Sequence, residues 1–237
     1  MNNKKRMKSL YIFLIFIVIT GIALGVYFGI KDNKSNKQYK TVEYGNFKVI
    51  YSGTNDFISS YSNYTEQAIN NIKNFMNEEI SLQIEISQFS ENSNTLARAG
   101  PYSIYNLRGG GYLEINTNKT ATSWTDVIEH EILHILGIGT NYKWRHAVFY
   151  SNGYNLSSNE FPETYQVYID NYVSNGDLHI PLSNYDTGSH FSESIFGTEL
   201  MTPFSNEGNR QPITLLTLTA LKELGWDVNL EKAEEKN

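Results

Sequence analysis

The stretch HEILHILGIG, residues 130–139, sets His130 and His134 four positions apart with Glu131 directly after the first histidine. In a helix, positions i and i+4 share a face one turn apart, so both imidazoles can meet one metal ion. Zinc favours imidazole nitrogen, and a catalytic zinc site keeps one position for a water whose pKa the ion lowers to about 7. Glu131, at the rim of that face, is then placed to take a proton from the water and pass it to a leaving amine. The bland alternative is a buried helix carrying two hydrogen-bonded histidines with Glu131 in solvent. The apolar surroundings count against it: Val127, Ile128, Ile132, Leu133, Ile135 and Leu136 make this a helix in which two histidines and a glutamate are costly to bury without a role.

A catalytic zinc needs a third protein ligand, and Thr140, three residues past Gly137, is a poor one. With no cysteine in the chain, the ligand has to be His, Asp or Glu. Glu160 in SSNEFPETY is one candidate, which would make the site a gluzincin-type centre. Pro162, however, ends or opens a helix there, whereas that ligand has to lie inside one. His146 in KWRHAV and His179 in DLHIPL read as ordinary surface or core histidines, which leaves His190 in GSHFSESIFGTELMTP.

HExxHxxG, a long insertion, a lone histidine and then ELMTP together resemble the leishmanolysin family, zinc endopeptidases of the metzincin clan. AGPYSIYNLRGGGYLEIN resembles the family's segment ahead of the active-site helix, and ITLLTLTALKELGW its closing helix, so the likeness extends over residues 95–227. The resemblance implies one catalytic Zn2+ held by His130, His134 and His190, with Glu131 as general base. It makes Met201 the apolar floor of a Met-turn fixed by Pro203, 138–189 a family-type insertion, and 102–106 the edge strand that pairs with an extended peptide substrate. The chain departs from the familiar eukaryotic members, which are rich in disulfides and carry a propeptide whose cysteine blocks the zinc. Its lack of cysteine points to a bacterial-type exported relative.

The elements that must position these residues are legible in the hydrophobic pattern. NFKVIYSG (46–53) has strand composition, 55–80 places Phe57, Ile58, Ala68, Ile69, Ile72 and Phe75 at helical spacings, and SLQIEISQF and GYLEIN read as strands. The HExxH helix has Thr122 or Ser123 as its N-cap and Gly137 as its stop. A short helix is expected over 163–173 in an otherwise loop-rich stretch to about residue 210, and a last helix over 213–226 ends at Gly225. The expected fold class is α+β, a metzincin-type zincin. It has a small mixed twisted sheet with backing and active-site helices above an irregular lower subdomain with a C-terminal helix.

The 237 residues suit one folded domain, and a net charge of −6 with a pI near 5.4 offers no basic footprint for nucleic acid. Lys4, Lys5, Arg6 and Lys8 precede an uncharged apolar run over 10–30, long enough to span a bilayer and lacking a clear small-x-small cleavage site. The organisation read from this is a cytoplasmic tail (1–8), a transmembrane signal-anchor (9–30), a polar linker (31–43) and a catalytic metallopeptidase domain (44–237). The expectation is a monomeric, single-pass membrane protein whose extracytoplasmic domain hydrolyses peptide bonds in protein or peptide substrates. From a different class, a membrane-anchored adhesion protein holding metal only for structure would fill all four positions with protein ligands, and no well-placed fourth is visible.

Overall fold

The computed structural model describes residues 37–173, 178–205 and 210–235, and residues 38–237 group as one compact unit. The expected cytoplasmic tail and signal-anchor, 1–30, lie outside the described residues. No helix among the described residues is long and apolar enough to cross a membrane.

A five-stranded mixed sheet, in the order β1-β2-β3-β5-β4, forms the first half. Strands β2 (Phe47–Gly53), β3 (Leu82–Phe89) and β5 (Gly111–Asn116) run parallel, while β1 (Gln38–Tyr44) and β4 (Ala97–Pro101) lie antiparallel at the two edges. The alternation of each central strand turns Phe47, Val49, Tyr51, Leu82, Ile84, Ile86, Leu113 and Ile115 into the core. The opposite face carries Lys48, Gln83, Glu85 and Glu114, so the sheet is covered on one side only. The cover is helical. Helix α1 (Asn55–Phe75) starts where the Thr54 hydroxyl accepts the Phe57 N–H, and it buries Phe57, Ile58, Ala68, Ile69, Ile72 and Phe75. Helix α2 (Trp124–Ile135) packs beside it and against β4.

Two elements depart from the sequence reading. The stretch read as linker through residue 43 contains β1, which pairs along its length with β2 through a turn at Gly45, where φ is +65°. Both faces of β1 are largely exposed, so no alternation marks it, and only the Gly45-Asn46 dipeptide signals the hairpin. The edge strand beside β5 is Ala97–Pro101, not 102–106. The chain turns away after Pro101, with the Tyr102 N–H donating to Gly110 O and the Asn106 N–H to Ser103 O. Pro101 supplies no N–H to continue the ladder.

The second half is mostly irregular. Helix α3 (Tyr142–Ala147) leads into a three-stranded antiparallel sheet of β6 (Val148–Tyr150), β7 (Tyr154–Leu156) and β8 (Ile180–Pro181). Helix α4 (Pro162–Tyr172) intervenes, opened by Pro162 at its first position. Helix α5 (Glu193–Phe196) and the closing α6 (Leu215–Glu223) complete the fold, and Gly225 at φ +103° follows the last turn. The molecule is therefore mixed α+β, with α2 between the one-sided sheet and the irregular half.

Candidate metal centre

Helix α2 is fixed at both ends before any site forms. At its start the Ser123 hydroxyl accepts the Asp126 N–H, settling the cap in favour of Ser123 over Thr122. At its end the Gly137 N–H donates to His134 O and the Ile138 N–H to Leu133 O, a Schellman motif. That motif requires a left-handed residue at 137, and Gly137 has φ +114°. The Trp226 indole N–H caps the Leu136 carbonyl at 2.7 Å, tying the helix end to the chain's last segment. On the sheet side Gly111 permits close approach, since a Cβ there would stand 2.9 Å from Ile135 Cγ2 and 2.3 Å from Gly100 O.

The third imidazole arrives from the small sheet. Leu182 and Phe191 form a bridge beyond β8, the Ser183 N–H donates to His190 O, and the Ser192 N–H to Pro181 O. His190 is thereby carried on an extension of β8. The chain after Gly137 also stays close: a Cβ at Gly139, where φ is +73°, would lie 2.1 Å from Ser189 O. On the other side the Phe191 N–H donates to Met201 O at 3.0 Å, so the ELMTP turn holds the residue next to His190. Met201 itself is fully buried in the core.

His130, His134 and His190 converge, with one ligand atom from each lying within 4.8 Å of the others. The Nε2 atom of His190 is 2.9 Å from Nε2 of His130 and 2.9 Å from Nε2 of His134. Each Nδ1 faces a group that can only accept: Leu200 O for His130 (2.7 Å), Ile138 O for His134 (2.8 Å) and Asp186 Oδ2 for His190 (2.7 Å). Neutral imidazole carries one hydrogen, and these acceptors place it on Nδ1. Three Nε2 lone pairs then point into one small space, an arrangement that repels itself unless a cation lies among them.

Burial also works against protonating the two histidines of the helix. Burial, reinforced by the neighbouring rings, holds His130 well below the ordinary histidine range, and burial and then His190 depress His134 to about 3. Neutral imidazoles with fixed tautomers are the form that ligates zinc.

Glu131 is the second anomaly of the site. Its side chain is buried, Oε2 has no hydrogen-bond partner among the described residues, and burial pushes its pKa up to about 8. An orphaned carboxylate oxygen on the helix that carries two of the three converging nitrogens is costly in isolation, whereas a dication and a water would satisfy both. The donor set and the orphan oxygen both fit a divalent metal ion.

Of the other candidates, Glu160 is exposed in the turn before α4. His146 stacks with Tyr142, and His179 packs edge-on to Phe149 and meets Ser158. None of these joins the cluster.

Sequence reasoning missed the residues that hold the ligands. Asp186 is one: burial works against its carboxylate, but His190, the Ser183 hydroxyl and the Ser189 N–H outweigh it and hold the pKa below the ordinary range. A carboxylate four residues before a lone histidine was the available signal. Glu199 is another, fully buried, accepting the N–H groups of Met201 and Thr214 and the Thr217 hydroxyl. It fixes the turn whose Leu200 carbonyl orients His130. A third group, Arg210, joins Asp126 and Glu129 of α2 to Glu234 near the C-terminus.

No protein-family model matches this chain, and a search of curated proteins finds no match.

Proposed function

We propose that the chain is a zinc-dependent endopeptidase of the metzincin type, similar to leishmanolysin, held at a membrane by residues 9–30 with its catalytic domain outside the cytoplasm. The observation that carries the reading is the convergence of three Nε2 atoms, two of them on the helix that also carries the buried, unpartnered Oε2 of Glu131. His130, His134 and His190 hold the ion, and with no fourth protein ligand in the cluster among the described residues a position is left for water. When bound, zinc supplies Lewis acidity, lowering the pKa of a coordinated water to about 7 and polarising the scissile carbonyl. Glu131 accepts the water's proton as the carbonyl is attacked and delivers it to the leaving amine. Its burial favours that exchange, because a carboxylate kept from water binds a proton more readily. The Ile138 and Leu200 carbonyls and Asp186 each face an Nδ1, which in the neutral ring leaves Nε2 as the ligating nitrogen. The outer edge of β4 has no strand partner among the described residues, which leaves its backbone open to pair with an extended peptide.

Replacement Glu131→Gln, compared with wild type on an unfolded protein substrate, tests the reading. Hydrolysis is expected to fall about 10²–10⁴-fold, with zinc content unchanged, and equal hydrolysis by the two proteins would refute it. Zinc content in Glu160→Gln and His190→Ala separates this centre from a gluzincin-type one: only His190→Ala is expected to lose the ion. Bound zinc without turnover on a broad peptide library would instead favour a non-catalytic adhesion role.

A further inference from the structure

The three imidazoles are oriented unequally, and the difference lies with Asp186. His130 and His134 stand on one helix, and each gives its Nδ1 hydrogen to a neutral backbone carbonyl. His190 comes from a loop and gives its hydrogen to a carboxylate. Asp186 has two tasks in that loop. Oδ1 accepts the Ser189 N–H at 2.8 Å, closing the turn that leads to the ligand, while Oδ2 holds the imidazole at 2.7 Å. The backbone around it is committed to the same shape. The Gly188 N–H donates to Ser183 O, and the Trp144 indole N–H donates to Gly188 O. Thr187 is held at φ +59°, a left-handed conformation unusual for a residue with a branched Cβ. A loop ligand has no helix to set its orientation, so the orientation must come from side chains. A carboxylate on the remote nitrogen also makes the ligating nitrogen a stronger donor than a carbonyl does.

We infer that Asp186 is a positioning residue that preorganises His190 and raises the affinity of the centre for zinc, through one carboxylate that both closes the loop and orients the ring. The inference rests on the zinc reading of the site. It makes His190 the dominant donor of the set although it belongs to no long helix.

The experiment compares wild type, Asp186→Asn and Asp186→Ala in the full chain, measuring the dissociation constant for zinc ions alone by competition with a chromophoric chelator. The visible spectrum of the cobalt-substituted protein and the melting temperature without metal are recorded alongside. Asp186→Asn keeps an oxygen for the Ser189 N–H but sets an amide N–H donor against His190 Nδ1, so the imidazole loses both the charge and its acceptor while the turn keeps its closing bond. It is expected to weaken zinc binding about 10–100-fold and to shift the cobalt spectrum, with a melting temperature close to that of wild type. Asp186→Ala is expected to weaken binding further. Zinc affinity in Asp186→Asn equal to wild type overturns the inference while leaving the zinc reading intact, as does a lowered melting temperature with unchanged affinity in both variants. Wild type that binds no zinc overturns both.

Discussion

Residues 38–135 and residues 136–235 meet at the end of α2 and share one apolar core, to which the second half adds directed polar contacts where its strands are short. In the first, every central strand turns alternate apolar side chains onto α1 and α2, and burial of Ile84, Ile86, Leu113, Ile69 and Ile132 is nearly complete. In the second, the strands are two or three residues long, and a core that includes Trp144, Phe161, Phe191, Phe196, Leu216 and Leu218 is supplemented by polar side chains that reach backbone atoms. Asp186 holds Ser189, Glu199 holds Met201 and Thr214, Asn141 holds Ile104, and Trp144 and Trp226 hold Gly188 and Leu136. One centre draws on both: His130 and His134 ride on an apolar helix, His190 on a polar loop. Apolar packing is non-directional and forgiving, while hydrogen bonds fix atoms at defined distances. The ligands from the first half therefore depend on the helix as a whole, and the ligand from the second depends on a few named groups.

The largest effect that tests this contrast lies in the first half, at a residue far from the metal. Ile84 is fully buried at the middle of β3. Ile84→Ala is expected to cost about 2–5 kcal/mol, read from urea denaturation without metal. Zinc affinity of the folded protein should stay unchanged, because α2 keeps its geometry while the cavity is absorbed elsewhere. A loss of affinity matching the loss of stability would mean that the halves are not separable in this way.

A smaller stability effect with a larger effect on the metal is expected in the second half. Glu199 is fully buried, and burial raises its pKa against the pull of the Thr214 and Thr217 hydroxyls and the Met201 and Thr214 N–H groups. Glu199→Gln replaces one acceptor oxygen by a donor, so either Thr214 N–H or the donors at Oε1 lose a partner. The expected cost is about 1–3 kcal/mol. The Leu200 carbonyl that fixes His130 moves with the turn, so zinc binding should weaken as well. Destabilisation with zinc affinity intact would show that the turn and the ligand are uncoupled.

The same division explains what could be read in advance. The HExxH helix, its start at Thr122 or Ser123, its Gly137 stop and the strands 82–89 and 111–116 follow from periodicity and capping, which are local and repeat along the chain. The convergence of His190 with the helix was legible only through the resemblance that marks ELMTP, since nothing in the spacing of a lone histidine identifies a ligand. Asp186 and Glu199 were passed over because a single acidic residue in a polar loop looks like any solvated one until the fold buries it. The short strands β6, β7 and β8 carry too few residues for alternation to emerge, and the edge strand lies at 97–101, ahead of the 102–106 that the resemblance implied.

The smallest effect is expected at β1, where the sequence suggested a tether and the structure has a strand. Gln38, Tyr39, Lys40 and Thr41 are exposed, and backbone pairing with β2 is their main attachment. Without a buried face, side-chain truncation removes almost no apolar contact, so Lys40→Ala is expected to change stability by no more than about 0.5 kcal/mol. A tether and a strand predict the same small number here, so the deciding measurement is amide hydrogen exchange. A tether leaves the amides of 38–43 exchanging at the rate of an unfolded chain. An edge strand protects those that bond to β2, at a lower level than the central strands β2 and β3, because edges open by local fraying while the centre opens only with the whole sheet. Protection of alternate amides in 38–43 confirms the strand, and uniform unprotected exchange returns the segment to the tether.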